Sequence, residues 1–139
     1  MKFGTLSAIK LVLLGSLSLE VAANSGYAAS CNSIYFTDPG RQTTYYTLLA
    51  NCRENSGIYK VDSQINLGSC FGNSGGKLVA MKNGAFGASC KDVSLSGTVL
   101  KASCGNGAGA YVSTSIDTNN YIGNANGLMC CYNACVNEG

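Results

Sequence analysis

The sequence predicts an all-β fold, assembled from an internal repeat and stapled by disulfides. Three observations carry that expectation. "LLANC" at Leu48–Cys52 alternates apolar and polar residues with period two, the pattern of a half-buried strand. The same phrase returns as "LKASC" at Leu100–Cys104, with a Tyr seven residues past each Cys, Tyr59 and Tyr111. Eight cysteines lie beyond residue 30 of a 139-residue chain that contains no His. An even count behind a leader argues for disulfides.

Residues 1–23 read as a signal peptide. Lys2 and Lys10 precede the apolar "LVLLGSLSL", and "VAA" places small residues before Asn24. A buried N-terminal helix is the alternative. The expected mature chain is residues 24–139, a single domain starting at Asn24, with "YAA" before Ser30 as a weaker cleavage point. It is directed to secretion.

Within that domain two units run over about residues 31–81 and 90–132. Cys31 matches Cys90, Leu48 matches Leu100, Ala50 matches Ala102, Ile65 matches Ile116, and Leu78 matches Met129. The first unit is longer by seven residues around "TDPGRQT", which reads as a hairpin turn, as does "SLSGTVL". After Ile65 and Ile116 comes a brief turn, then a hairpin tipped by "NSGG" or "NANG", because Asn and Gly accept positive φ cheaply. Each unit is therefore three strands, a turn and a hairpin. Units of about fifty residues are too small to bury separate cores and should share one.

Much chemistry is excluded. Without His or a CxxC pair the common zinc spacings are absent, and so are Ser-His and Cys-His nucleophiles. No metal or cofactor is implied. Net charge near zero in the mature part, with no Lys/Arg run, gives no nucleic-acid or membrane surface. "CGNGAGAY" at Cys104–Tyr111 lacks the spacing of a phosphate-cradling loop and reads as a loop tip. Asp62 and Asp117 are expected at nearly equivalent points of separate units, too far apart to flank one bond. The eight Tyr suit core or strand-face roles, with Tyr45, Tyr46 or Tyr132 as possible stacking platforms for a sugar. A hydrolase is the least supported class.

The ordered set, from the paired Cys through the aromatic to "SIDTNNYIGNANG", occurs twice and resembles the cyanovirin-N homologue family over about Ser25 to Tyr132. The resemblance implies two interleaved pseudo-symmetric lobes, each a three-stranded antiparallel sheet with a β-hairpin donated by the other repeat and short 3-10 turns. It also implies a non-catalytic lectin for mannose-type oligosaccharides, needing no metal. It pairs Cys31 with Cys52 and Cys90 with Cys104. Cys70, Cys130, Cys131 and Cys135 are extra, and the favoured pairing joins Cys70 to Cys130 or Cys131, leaving the other neighbour for Cys135.

By the same resemblance, the binding positions in the lobe of the first sheet and second hairpin are Ser30, Arg53, Asn55, Asn124, Ala125 and Asn126, with Gly26. The family has an acid where Arg53 and Asn126 stand. Neutral amides suit sugar hydroxyls, since Asn both donates and accepts. Replacing Asn124 and Asn55 together is expected to weaken binding and spare stability. The other lobe offers a weaker site at Asn73, Asn83 and Ser89, with Gly72, Gly75, Gly107 and Gly109 where polar groups would stand and Gly84 nearby. Oligosaccharides or glycoproteins are the expected partners of a monomer in which "KNGAF" turns flexibly between lobes; if it extended, two chains could exchange halves. A secreted cysteine-rich interaction protein on the same scaffold is the alternative function.

Overall fold

The computed structural model describes residues 24–37 and 45–135. The proposed leader and the "TDPGRQT" turn lie outside the described residues. In chain order the strands are β1 (Cys31–Thr37), β2 (Thr47–Arg53), β3 (Tyr59–Asn66), β4 (Phe71–Ser74), β5 (Lys77–Ala80), β6 (Cys90–Ser96), β7 (Val99–Gly105), β8 (Tyr111–Asp117), β9 (Gly123–Ala125), β10 (Leu128–Cys131) and β11 (Ala134–Cys135). Four 3-10 turns punctuate them at Tyr27–Ala29, Leu67–Ser69, Phe86–Ala88 and Thr118–Asn120.

The sheets are antiparallel and ordered β1-β2-β3 and β6-β7-β8, with β4-β5 and β11-β10-β9 as the hairpins. The alternation seen in the sequence is the reason: Leu48, Ala50 and Cys52 of β2 and Leu100, Ala102 and Cys104 of β7 point into one core, while their neighbours face outward. β11 is an addition to the expected hairpin; it pairs Cys135 with Cys130.

Each hairpin packs on the sheet of the other repeat. The Leu78 amide in β5 donates to Thr114 Oγ1 of β8 at 3.0 Å, and the Met129 amide in β10 donates to Ser63 Oγ of β3 at 3.2 Å. Lobe A is thus β1-β2-β3 with β9-β10, and lobe B is β6-β7-β8 with β4-β5. The bridges are Cys31–Cys52, Cys90–Cys104, Cys70–Cys131 and Cys130–Cys135. Only Cys70–Cys131 ties one repeat to the other.

The crossing segment differs from the flexible turn that "KNGAF" suggests. The amides of Asn83, Gly84 and Ala85 donate to the carbonyls of Ser69, Met81 and Gly68. A Cβ on Gly84 would sit 2.6 Å from the Cα of Gly72, so this glycine serves a close backbone approach.

The two sheets share one bulge and differ in another. β1 and β6 carry the same bulge, with Ser33 at φ 53° and Asp92 at φ 54°. β3 alone carries a second bulge at Asp62, whose amide is held by Asn51 Oδ1 at 3.0 Å, whereas β8 pairs with β7 without interruption. Asp62 is therefore the extra residue of β3 and has no counterpart in β8. Asp117 instead corresponds to Asn66, and both cap the 3-10 turn that follows them. Their expected equivalence is corrected; they stand in different sheets.

Candidate functional site

The hairpin tip of "NANG" and the loop after Cys52 meet in lobe A. The two-residue turn Asn126-Gly127 links Ala125 to its partner Leu128, and both turn residues take left-handed backbone at φ 53° and 93°. Gly127 is doubly required, because a Cβ there would also lie 2.9 Å from Glu54 Cγ and 3.0 Å from Lys60 Cβ. This close packing brings the tip against residues 53–57.

Asn124 holds the junction. Its Nδ2 donates to Ser30 Oγ and to the Arg53 carbonyl, both at 2.9 Å, and its Oδ1 accepts from the Gly127 amide at 2.8 Å. Asn126 Oδ1 in turn accepts the Asn55 amide at 2.8 Å. The result is a cleft of about 510 Å³ lined by Ser30, Arg53, Glu54, Asn55, Gly57, Asn124 and Asn126. The Arg53 guanidinium and the Asn55 carboxamide make no hydrogen bond or ion pair to the described protein. With the Nδ2 of Asn126, they are the donors turned to solvent.

The structure therefore brings together Ser30, Arg53, Asn55, Asn124 and Asn126, with Ala125 on the β9 backbone beside them. Gly26 stands apart and caps the Tyr27–Ala29 turn. The expectation that replacing Asn124 spares stability is corrected, since both of its donors and its oxygen already serve the fold. The sequence reading also missed Glu54. An acid is missing at position 53, yet a carboxylate lines the same cleft from the next residue; the adjacency of Arg53 and Glu54 was the available signal.

Lobe B repeats the junction without the cleft's side chains. Asn73 Nδ2 donates to Ser89 Oγ and the Gly105 carbonyl at 2.9 Å each, and Asn73 Oδ1 accepts from Gly76 at 2.8 Å. Around it Gly105 replaces Arg53, Gly107 replaces Asn55 and Gly75 replaces Asn126. Asn106 Oδ1 accepts from the amides of Ala108 and Ala110 at 2.8 and 3.2 Å, so "CGNGAGAY" closes on itself and offers no cradle for phosphate. Gly109 lies in that loop, and Gly72 and Gly84 pack on one another. Asn83 is not brought to Asn73 and Ser89; it borders two other grooves, one with Lys82 and Tyr132 and one with Tyr45.

The tyrosines do not furnish the cleft with a stacking face. Tyr46 stacks on Phe86 with ring centroids 5.5 Å apart, and Tyr45 and Tyr132 lie on the other grooves. Only Tyr27 is a core residue; its hydroxyl bonds Thr118 Oγ1 at 2.8 Å, and burial raises its pKa although that bond opposes the shift. Among the described residues no group of three or more Cys, Asp or Glu is placed to hold a metal.

The comparisons with known proteins agree with this architecture. A solved structure from T. borchii, TbCVNH, is 33% identical, with a TM-score of 0.60 over 76% of this chain and 98% of that one. A microvirin complex with mannobiose is 23% identical, with a TM-score of 0.62 over 77% and 98%. A MoCVNH3 variant in complex with (N-GlcNAc)4 is 20% identical, with a TM-score of 0.66 over 77% and 97%, a likeness of fold alone. Curated protein sequences give no match. The CVNH domain model matches residues 27–130, most of the chain, and on that ground together with the interleaved lobes the protein belongs to the CVNH domain family.

Proposed function

We propose that this chain is a secreted, non-catalytic lectin that binds mannose-type oligosaccharides in the lobe A cleft. The observation that carries the reading is the cleft itself: a depression fixed by the Asn124 junction, in which Ser30 accepts from Asn124, and lined by the unengaged Asn55 carboxamide and Arg53 guanidinium. Such groups can donate to and accept from a sugar's hydroxyls, and a junction that is already hydrogen-bonded presents them pre-organised. Microvirin's complex with mannobiose supports the choice of sugar. The Arg53 guanidinium, standing where the family has an acid, adds donors suited to hydroxyl or acetamido oxygens.

The junction of lobe B, where Gly105, Gly107 and Gly75 stand for the cleft's side chains, contributes little or nothing to binding, and Asn73 with Ser89 forms at most a weak second site. The protein acts as a monomer, since the crossing segment is a closed turn and Cys70–Cys131 joins its two repeats covalently. The secreted chain begins at Asn24. A chain cut before Ser30 would lose Tyr27, which is fully buried.

A glycan array probed with the oxidised, processed protein tests this reading. Retention on mannose-terminated oligosaccharides is expected. Silence across the array would favour the alternative, an interaction protein using the scaffold without sugar, for which the loss of polar side chains around Asn73 in lobe B is the specific support.

A further inference from the structure

The outward face of the lobe B sheet holds a second depression, of about 470 Å³, lined by Asp92, Lys101, Ala102, Ser103, Ser113, Thr114 and Ser115. Its shape follows from register. Lys101 pairs with Ser115 and Ser103 with Ser113, so these four side chains stand at the corners of a square on one face. The Ala102–Thr114 pair between them turns its side chains inward; Thr114 Oγ1 accepts the Leu78 amide. The floor is therefore backbone. Asp92 enters from the bulge of β6, whose left-handed residue is set out of the ladder.

Every corner group is unengaged. The Lys101 ammonium, the Asp92 carboxylate and the hydroxyls of Ser103, Ser113 and Ser115 make no hydrogen bond or ion pair with the described protein. The neighbouring cation is committed elsewhere, with Lys91 Nζ held 4.1 Å from the ring centroid of Tyr111. Three serines on adjacent strands also run against strand preference, which favours Thr, Val and aromatic residues on such a face. Local rules are commonly broken where a site is kept.

Lobe A carries a different set of residues in the same place. Leu49 stands at the position of Lys101, Val61 at that of Ser113, Gln64 at that of Ser115, and Ser33 at that of Asp92. Asn51, at the position of Ser103, is committed to the Asp62 amide of the bulge that β8 lacks. The lobes thus differ in both places: lobe A keeps polar side chains at its cleft but has Leu49 and Val61 and no charged group at these sheet-face positions, whereas lobe B has a bare junction and an all-polar set of corners.

We propose that this trough is a second saccharide-binding site, separate from the lobe A cleft and of similar capacity. A carboxylate accepts from two vicinal hydroxyls of one ring, while the ammonium and seryl groups donate to others; this pairing of opposite charges with short hydroxyls suits a neutral sugar. The absence of a large apolar side chain among the lining residues disfavours a protein partner, whose hot spots need such anchors. The proposal does not rest on binding in the cleft.

Amide-shift mapping of the oxidised protein tests it, with methyl α-mannopyranoside, α-mannobiose and the N-acetylglucosamine tetramer as probes. At least one probe should give saturable shifts at residues 101–103 and 113–115. Asp92→Asn with Lys101→Met should weaken them about tenfold and leave any cleft shifts unchanged; Asn suits the left-handed backbone at 92, so the fold is kept. A filled variant, Ser103→Val with Ser113→Val, should abolish them with no loss of thermal stability. Shifts confined to the trough support this proposal and count against the cleft. Shifts confined to residues 53–57 and 124–126, or no shift at millimolar concentrations of all three probes, overturn it.

Discussion

Asn124 in lobe A and Asn73 in lobe B make the same three hydrogen bonds at nearly the same distances, yet the residues around them diverge. Lobe A surrounds its asparagine with Arg53, Glu54, Asn55 and Asn126. Lobe B puts Gly105, Asn106, Gly107 and Gly75 in those places, and the one amide among them is folded back on its own loop. The pair of asparagines belongs to the interleaved fold, since each fastens a donated hairpin to the foreign sheet. What is left over for a ligand is the set that differs. Conformity between repeats marks structure, and divergence marks the surface that has been kept or lost.

The core shows the same lesson inside out. Tyr27 and Thr118 share a buried hydrogen bond, while Phe86 and Leu67 occupy the corresponding positions without a polar atom. Both solutions fill the space, and each is satisfied in its own way.

The largest effect is expected from separating the repeats. Cys70→Ser with Cys131→Ser opens the only covalent tie between them, a loop of 61 residues, worth about 4 kcal/mol in the chain-entropy model. Denaturant titration measures it. Because each lobe needs both repeats, the two should still unfold in one transition; two separate transitions would break the account of a shared core.

Next come the paired asparagines. Asn124→Ala and Asn73→Ala each remove three hydrogen bonds, at about 1 kcal/mol apiece. Each should cost about 2–3 kcal/mol, and the two costs should be similar. A near-neutral Asn124→Ala beside a costly Asn73→Ala would mean that lobe A keeps this residue for its ligand.

A smaller effect tests the cores. Thr118→Val leaves the Tyr27 hydroxyl buried without its partner, at about 1–3 kcal/mol. Tyr27→Phe with Thr118→Leu copies the lobe B solution and should be close to neutral; Thr98's carbonyl remains satisfied by the backbone amide of residue 118. The same tyrosine predicts a pH effect. Burial raises its folded pKa above the ordinary value. Its contribution is therefore present below the unfolded pKa of about 10 and is lost as pH rises further, because only the unfolded chain readily ionises. Melting curves from pH 8 to 11 on the wild type and on Tyr27→Phe would expose the difference.

The repeat, the alternating strands and the turn dipeptides were legible because each depends on near neighbours in the chain. Leu48, Ala50 and Cys52 announce their common face by spacing alone. The disulfides were legible in part: sequence allowed Cys70 to join either Cys130 or Cys131, and only the path of β10 selects Cys131. The cleft was legible by resemblance, residue by residue. What sequence could not show was where each amide's hydrogen bonds go. Asn55, Asn124 and Asn126 look alike on paper, but one is free, one is fully engaged and one is divided between the fold and solvent. The trough was hidden for the same reason, since its corners come from register and from a bulge whose sequence carries no Gly.

The central claim, that lobe A binds sugar and its counterpart in lobe B does not, is tested most directly by amide-shift mapping with α-mannobiose on the wild type and on Arg53→Ala with Asn55→Ala. These two side chains support nothing in the fold, so melting should be unchanged. Losing two hydrogen bonds of about 0.5–1.5 kcal/mol each should weaken binding roughly tenfold or more. The account predicts saturable shifts at residues 53–57 and 124–126 that fade in the variant, with residues 73–76 and 105–110 undisturbed. Shifts centred on Asn73 and Gly107, or equal affinity in the variant, would contradict it.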